Sequence, residues 1–194
     1  MATVPGRLLL LGGAAALIAA ALAVLATAGL PLRADYTGQQ TGPGLPPAAP
    51  EINARAPLLD LPRADGPRLR LADTAGSPVI VNFWATWCGP CRVEMPALQR
   101  FYEAHQAAGL RILAINTGET AGAVRSWRDE FGLTFDLLLD EGQQAAASYQ
   151  LRGQPTTFIV SPAGLITHIF YGPVLEHDLE AALSPWLTPP GSAS

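Results

Sequence analysis

Cys88 and Cys91 are the only two cysteines of the chain, and just Gly89 and Pro90 separate them. Two thiols at this spacing can close a small disulfide and open it again, which moves two electrons and two protons. The pair follows the apolar run Val79–Trp84 and precedes a segment in which Met95, Leu98, Tyr102 and His105 recur at helical spacing. Cys88 is therefore expected at a helix N-cap, where unpaired N–H groups and the positive end of the helix dipole favour a thiolate. Its pKa is expected below the free value of about 8.5, which makes it the nucleophile. Pro90 suits the first helical turn, where a missing N–H is harmless. Cys91, one turn deeper, is placed to resolve a mixed disulfide.

Other readings of two cysteines meet obstacles in the same residues. Zinc would need further ligands, and the nearest histidine, His105, follows only 14 residues after Cys91; no metal site is expected. A c-type haem attachment needs histidine directly after the second cysteine, where Arg92 stands. A cysteine pair can hold Cu(I) unaided, so a copper chaperone is an alternative, although no histidine is linked to the pair by spacing. All twelve basic residues are arginine, which excludes lysine Schiff-base chemistry and the lysine-bearing phosphate loop. A net charge of −4 argues against a nucleic-acid partner.

These residues need elements to hold them. Val79–Trp84 and Leu110–Asn116 read as buried strands, and Thr156–Ser161 and Leu165–Tyr171 as a hairpin turning at Pro162-Ala163-Gly164. Helices are expected after the cysteines, around Val124, Trp127 and Phe131, over Gln143–Tyr149 and over Glu176–Leu187. Alternating strands and helices followed by a hairpin and a helix imply an α/β fold, a mixed central sheet with helices on both faces.

Outside this domain, placed at 56–187, the composition changes. Residues 8–30 carry no charge across a length that spans a hydrocarbon core, behind a short basic start at Arg7. They read as an N-terminal signal anchor (residues 1–30) that leaves the rest extracytoplasmic. A cleaved signal is the alternative, with Ala26-Thr27-Ala28 as the cleavage site. Residues 31–55, rich in Pro and Gly, read as a linker, and 188–194 as a disordered tail. Oxidising surroundings of this kind are where disulfides persist.

The string NFWATWCGPCRVEMP, together with Ala56-Pro57, the Leu69–Gly76 region and Gly153-Gln154-Pro155-Thr156-Thr157-Phe158, resembles the thioredoxin superfamily. It is most similar to the membrane-anchored TlpA/ResA-type thiol-disulfide oxidoreductases, with their redoxin, AhpC/TSA-like domain. The resemblance implies a thioredoxin-like fold and a cis-proline at Pro155 facing the cysteines. Gln154, Trp87, Gly89 and Pro90 would then form the substrate surface, with Trp87 packed beside the cysteines.

Thioredoxin has a buried aspartate where this chain has Asn82, which cannot titrate. Glu94, three residues after Cys91 on the same helical side, is the candidate for proton exchange with Cys91; the resemblance implies a glutamate there. Pro96 is expected to kink its helix, and His105 to be a packed histidine.

The activity expected is reduction of protein disulfides through Cys88 and Cys91. The resemblance implies a place in cytochrome c maturation, with apocytochrome c as a partner and a membrane thiol carrier as electron donor. No flavin or nicotinamide fingerprint is present, so no cofactor is expected, and nothing demands more than a monomer. A thiol oxidase or isomerase using the same residues is the alternative. A peroxiredoxin-like peroxidase fits less well, because Ala85 stands three residues before Cys88 where that family has Thr or Ser.

Overall fold

The structure, a computed structural model, describes residues 46–187. The anchor expected at 1–30, most of the linker and the tail at 188–194 lie outside the described residues. Among the described residues, no helix is long and apolar enough to cross a membrane.

The element order is β1 (Asp60–Leu61), β2 (Leu69–Arg70), β3 (Val79–Trp84), α1 (Gly89–His105), β4 (Arg111–Thr117), α2 (Ala121–Phe131), β5 (Asp136–Asp140), α3 (Gln144–Ser148), β6 (Thr156–Val160), β7 (Ile166–Tyr171) and α4 (Glu176–Leu187). Five strands form one sheet in the order β5-β4-β3-β6-β7. β3, β4 and β5 run parallel, and β6 and β7 are antiparallel to their neighbours, so the sheet is mixed as expected. β3 is its central strand, and all six of its residues are buried. A strand covered on both faces has no polar side to alternate with, which explains the continuous apolar run.

Successive β3 side chains feed two cores. Ile80 and Trp84 join Met95, Leu98, Val124, Trp127, Leu179 and Leu183, so α1, α2 and α4 cover one face. Val79, Val81 and Phe83 join Ala145, Ala146, Tyr149 and Phe158 on the other. That second face carries a single short helix, α3, and is completed by Ala56, Leu59 and Leu69 from the N-terminal segment. Helices do lie on both faces, but unequally.

Two further differences from expectation have clear physical causes. β5 was hidden in the sequence because its core, Leu137-Leu138-Leu139, is a three-residue apolar run too short to tell helix from strand by period. Residues 53–56, expected within or next to the linker, pair instead with the sheet edge. Asn53 N–H donates to Ile166 O (2.8 Å), Ile166 N–H to Ala54 O (2.9 Å), and Ala56 N–H to Gly164 O (3.0 Å). These bonds occupy groups of β7 that an open edge would leave unpaired.

Candidate active site

β3 ends at Trp84, and the chain turns at once. Cys88 N–H donates to Ala85 O (3.2 Å), closing a four-residue turn that places Cys88 at the N-cap of α1. Its Sγ accepts from Cys91 N–H at 3.2 Å, using one of the donors that a helix start leaves unpaired. Gly89 and Pro90 occupy the first two helical positions and are exposed. Cys88 and Cys91 are joined as a disulfide with their Cα atoms 5.3 Å apart. Cys91 is fully buried, whereas Cys88 keeps 5% of its surface in contact with solvent. Only Cys88 can meet a partner thiol without the helix opening, and the helix terminus stabilises negative charge on its sulfur.

Glu94 follows one turn later on the buried side of α1 and is 2% exposed. One carboxylate oxygen accepts from Asn82 Nδ2 (2.8 Å), the other from Val174 N–H (3.1 Å). Burial pushes its pKa from 4.5 up to about 7, against the pull of those two hydrogen bonds. Asn82 Nδ2 also donates to Thr157 Oγ1 (3.0 Å), and its own Oδ1 has no partner. β3, α1, β6 and the β7–α4 loop therefore meet around one carboxyl group.

The Gln154–Pro155 peptide is cis. Pro155 is buried, and its carbonyl accepts from Gly172 N–H (2.9 Å). Gln154 donates through Nε2 to Thr117 Oγ1 while its Oε1 has no partner. Trp87 differs from expectation: instead of packing beside the cysteines it is 73% exposed. It forms one wall of an open groove of about 550 Å³ shared with Gln143, Gln150, Arg152 and Gln154. The indole at the third position of a tight turn is carried outward by the turn itself.

Glu119 was not singled out from the sequence. Its carboxylate accepts from Thr86 N–H (2.7 Å), Thr86 Oγ1 and Asn116 Nδ2 (2.7 Å), and so holds the turn that delivers Cys88. Nothing in its spacing from the cysteines marks it, because the link exists only once β4 lies beside β3.

The remaining candidates are structural. Pro96 lies within α1, which runs through it to His105. His105 packs its ring 4.4 Å from Phe101 and brings Nε2 within 3.2 Å of Glu180. His168 lies 3.1 Å from Thr167 Oγ1, and His177 lies 3.2 Å from Asp178 Oδ1. Among the described residues, no group of three or more His, Cys, Asp or Glu could hold a metal ion.

A disulfide at a helix start, with one sulfur near solvent and the other buried one helical turn before a protonatable acid, is built for thiol-disulfide exchange. Residues 52–169 match the AhpC/TSA family. The chain belongs to this family. The chain is 34% identical over 162 residues to the thiol-disulfide oxidoreductase ResA of Geobacillus thermodenitrificans, covering 84% of this chain and 89% of that protein. ResA of Bacillus subtilis is also 34% identical, over 67% of this chain and 74% of its own length. Among solved structures, a putative thiol:disulfide interchange protein DsbE from Chlorobium tepidum superposes with a TM-score of 0.65 at 27% identity, covering 69% of this chain and 96% of that one. The AhpC/TSA domain is thus of thioredoxin-like α/β type, and its central strand, cysteine turn and hairpin are the elements described above.

Proposed function

We propose that this chain is a thiol-disulfide oxidoreductase that works as a protein-disulfide reductase outside the cytoplasm, tethered by residues 8–30. The observation that carries the reading is the division of labour at the site. Cys88 lies at the helix start and near solvent, while Cys91 is buried one turn before a carboxyl group with a pKa of about 7. The thiol-disulfide oxidoreductases named ResA, related over most of this chain, support the same chemistry.

In the reduced protein the Cys88 thiolate attacks one sulfur of the target disulfide and releases the other as a thiolate. A mixed disulfide results. The Cys91 thiol then passes its proton to the Glu94 carboxylate and attacks Cys88 Sγ, expelling the second target sulfur. The target leaves with two electrons more, and Cys88 and Cys91 are left as the disulfide seen here. Glu94 returns its proton when the pair is reduced again, by a membrane thiol carrier. Apocytochrome c, whose haem-attachment cysteines must be kept reduced, is the target class that the resemblance to TlpA/ResA-type proteins suggests.

The reduction potential of the Cys88–Cys91 pair, measured by equilibration in thiol redox buffers, tests the direction. A value at or below roughly −250 mV supports a reductase, since thioredoxin lies near −270 mV. A value near −120 mV, where strong oxidants sit, overturns that direction and makes the chain a disulfide donor. Sedimentation of the full chain with membranes after a carbonate wash tests the tether.

A further inference from the structure

The groove beside Trp87 carries more polar capacity than its own surroundings use. Gln143 and Gln150 flank α3, and both hold left-handed backbones, with φ of 54° and 49°. Among the described non-glycine residues only Asn53 shares that region, which L side chains adopt at a cost. Gln143 is the N-cap of α3, and the left-handed Gln150 closes its other end, with Gln150 N–H donating to Ala147 O (3.0 Å) and Leu151 N–H to Ala146 O (2.9 Å). Gly118 makes the close approach possible, since a Cβ there would stand 2.9 Å from Gln143 Nε2.

The side chains around the groove are unspent. Gln154 uses its Nε2 on Thr117, and its buried Oε1 has no partner. The amides of Gln143 and Gln150 meet no hydrogen-bond partner among the described residues. Arg152 is the only charged residue lining the groove, and no carboxylate pairs with it among the described residues. Seven other arginines (Arg63, Arg68, Arg70, Arg92, Arg100, Arg111 and Arg128) are matched with Asp or Glu, and Arg125 donates to Ala64 O. Arg55, like Arg152, has no carboxylate partner among the described residues, but it lies outside this groove. Trp87, the residue directly before Cys88, joins this groove to the reactive sulfur.

We propose that the groove receives an extended, acidic stretch of the polypeptide whose disulfide Cys88 attacks, with Arg152 pairing a substrate carboxylate. The exposed amides of Gln143 and Gln150 supply donors and acceptors to the main chain of that stretch, and Trp87 covers its apolar parts. A basic stretch would meet Arg152 as a like charge, so this arginine selects among disulfide-bearing proteins. The inference rests on the thiol-disulfide oxidoreductase reading and narrows its substrate class.

The test uses the full chain in its reduced form and three sets of disulfide peptides. The sets differ only in carrying Glu, Gln or Lys at one of the positions two to five residues from the reacting cysteine. The readout is the ratio of reduction rate constants for Glu over Lys peptides within each protein, which cancels any difference in the amount of folded enzyme. For the unsubstituted chain the best position should give a ratio of roughly five or more at low salt, as an exposed charge pair supplies. The ratio should shrink towards one in 1 M salt, flatten in Arg152→Gln and invert in Arg152→Glu. A ratio that stays above one in Arg152→Glu, or that is one throughout in the unsubstituted chain, overturns the proposal. Failure of the unsubstituted chain to reduce uncharged hydroxyethyl disulfide instead overturns the underlying reading of the activity, and the proposal with it.

Discussion

Asn82 Nδ2 donates to Glu94 Oε1 over 2.8 Å, and this bond ties the strand that leads into the cysteines to the helix that starts from them. Both residues are buried, Asn82 completely. Asparagine cannot move a proton, but it can hold the group that does. Its N–H and that of Val174 each favour the ionised carboxylate, while burial opposes it and wins. The outcome is an acid that titrates near neutrality, which is where proton transfer to or from a side chain is most effective.

Stability of the oxidised protein should therefore fall as pH rises. A carboxyl group raised from 4.5 to about 7 binds its proton more tightly in the folded than in the unfolded chain. Between those two values the native state holds more protons, so unfolding becomes easier with each step up in pH. Below 4.5 both states are protonated and nothing is lost; above about 7 the loss is complete, at about 3 kcal/mol. Glu94→Gln removes this dependence. Its urea midpoint relative to the parent should be more favourable at pH 8 than at pH 4, the amide NH2 having replaced one of two acceptor oxygens at both values. An equal shift at both values would show that Glu94 does not titrate in this range.

The same substitution should impair turnover. Without a carboxylate, the Cys91 thiol must lose its proton to water before it can resolve the mixed disulfide. Reduction of a protein disulfide by Glu94→Gln is expected to slow by about a hundredfold, the low end for a positioned acid–base group. The mixed disulfide on Cys88 should accumulate, visible by non-reducing electrophoresis. Unchanged turnover with no accumulation would remove Glu94 from the mechanism.

Asn82→Ala takes away one of the two donors that favour the Glu94 carboxylate. Burial is then opposed by Val174 N–H alone, and the Glu94 pKa should rise further above its present value of about 7. Carboxyl-carbon NMR of the oxidised protein would follow it directly. A fall in that pKa, or none, would mean that solvent enters the vacated space and offsets burial.

The two cysteines should behave unequally once reduced. Cys88 sits at the helix N-cap with 5% of its surface accessible, and Cys91 is at 0%. Brief treatment with iodoacetamide at pH 7 should modify Cys88 alone, with a pH midpoint below the free thiol value of about 8.5. Cys91→Ala should form long-lived mixed disulfides with its targets, and Cys88→Ala none. Preferential alkylation of Cys91 would reverse the assigned roles.

The parts legible in the sequence were those carried by local pattern. Val79–Trp84 announced a central strand because five of its six residues are β-branched or aromatic and apolar. The cysteines announced a helix start because Pro90 stands between them and the Met95–Leu98 spacing follows. Glu94 could be placed on the buried side by counting turns. What stayed hidden was made by residues far apart in the chain. The partners of Glu94 at Asn82 and Val174 lie 12 and 80 positions away, and no periodicity links them. Trp87 was read both as packed beside the cysteines and as part of the substrate surface; the turn sends its ring outward, which suits the second reading and not the first. The groove that it borders depends on the backbone shape of Gln143 and Gln150, which their residue type does not announce.

Glu119 is the residue whose role only the assembled fold discloses, and it yields the sharpest mutational contrast. Its two oxygens take the N–H and hydroxyl of Thr86, 33 positions earlier, and the amide of Asn116. Thr86 is the second residue of the turn that carries Cys88 to the N-cap, so Glu119 positions the nucleophile without approaching it in sequence. Glu119→Ala leaves three donors without their acceptor. Because Glu119 is only half-buried, water replaces part of what is lost, and the expected destabilisation is about 2 kcal/mol. The protein should remain folded at 25 °C, with Cys88 less well held; its reduction rate should fall and the potential of the pair should shift. Glu119→Gln keeps one acceptor oxygen while turning its other end into a donor, so it should recover part of the stability and part of the rate. A purely structural contact would lower the urea midpoint and leave the potential untouched. Measuring both in the two variants separates these outcomes, and an unchanged potential in Glu119→Ala would deny Glu119 its positioning role.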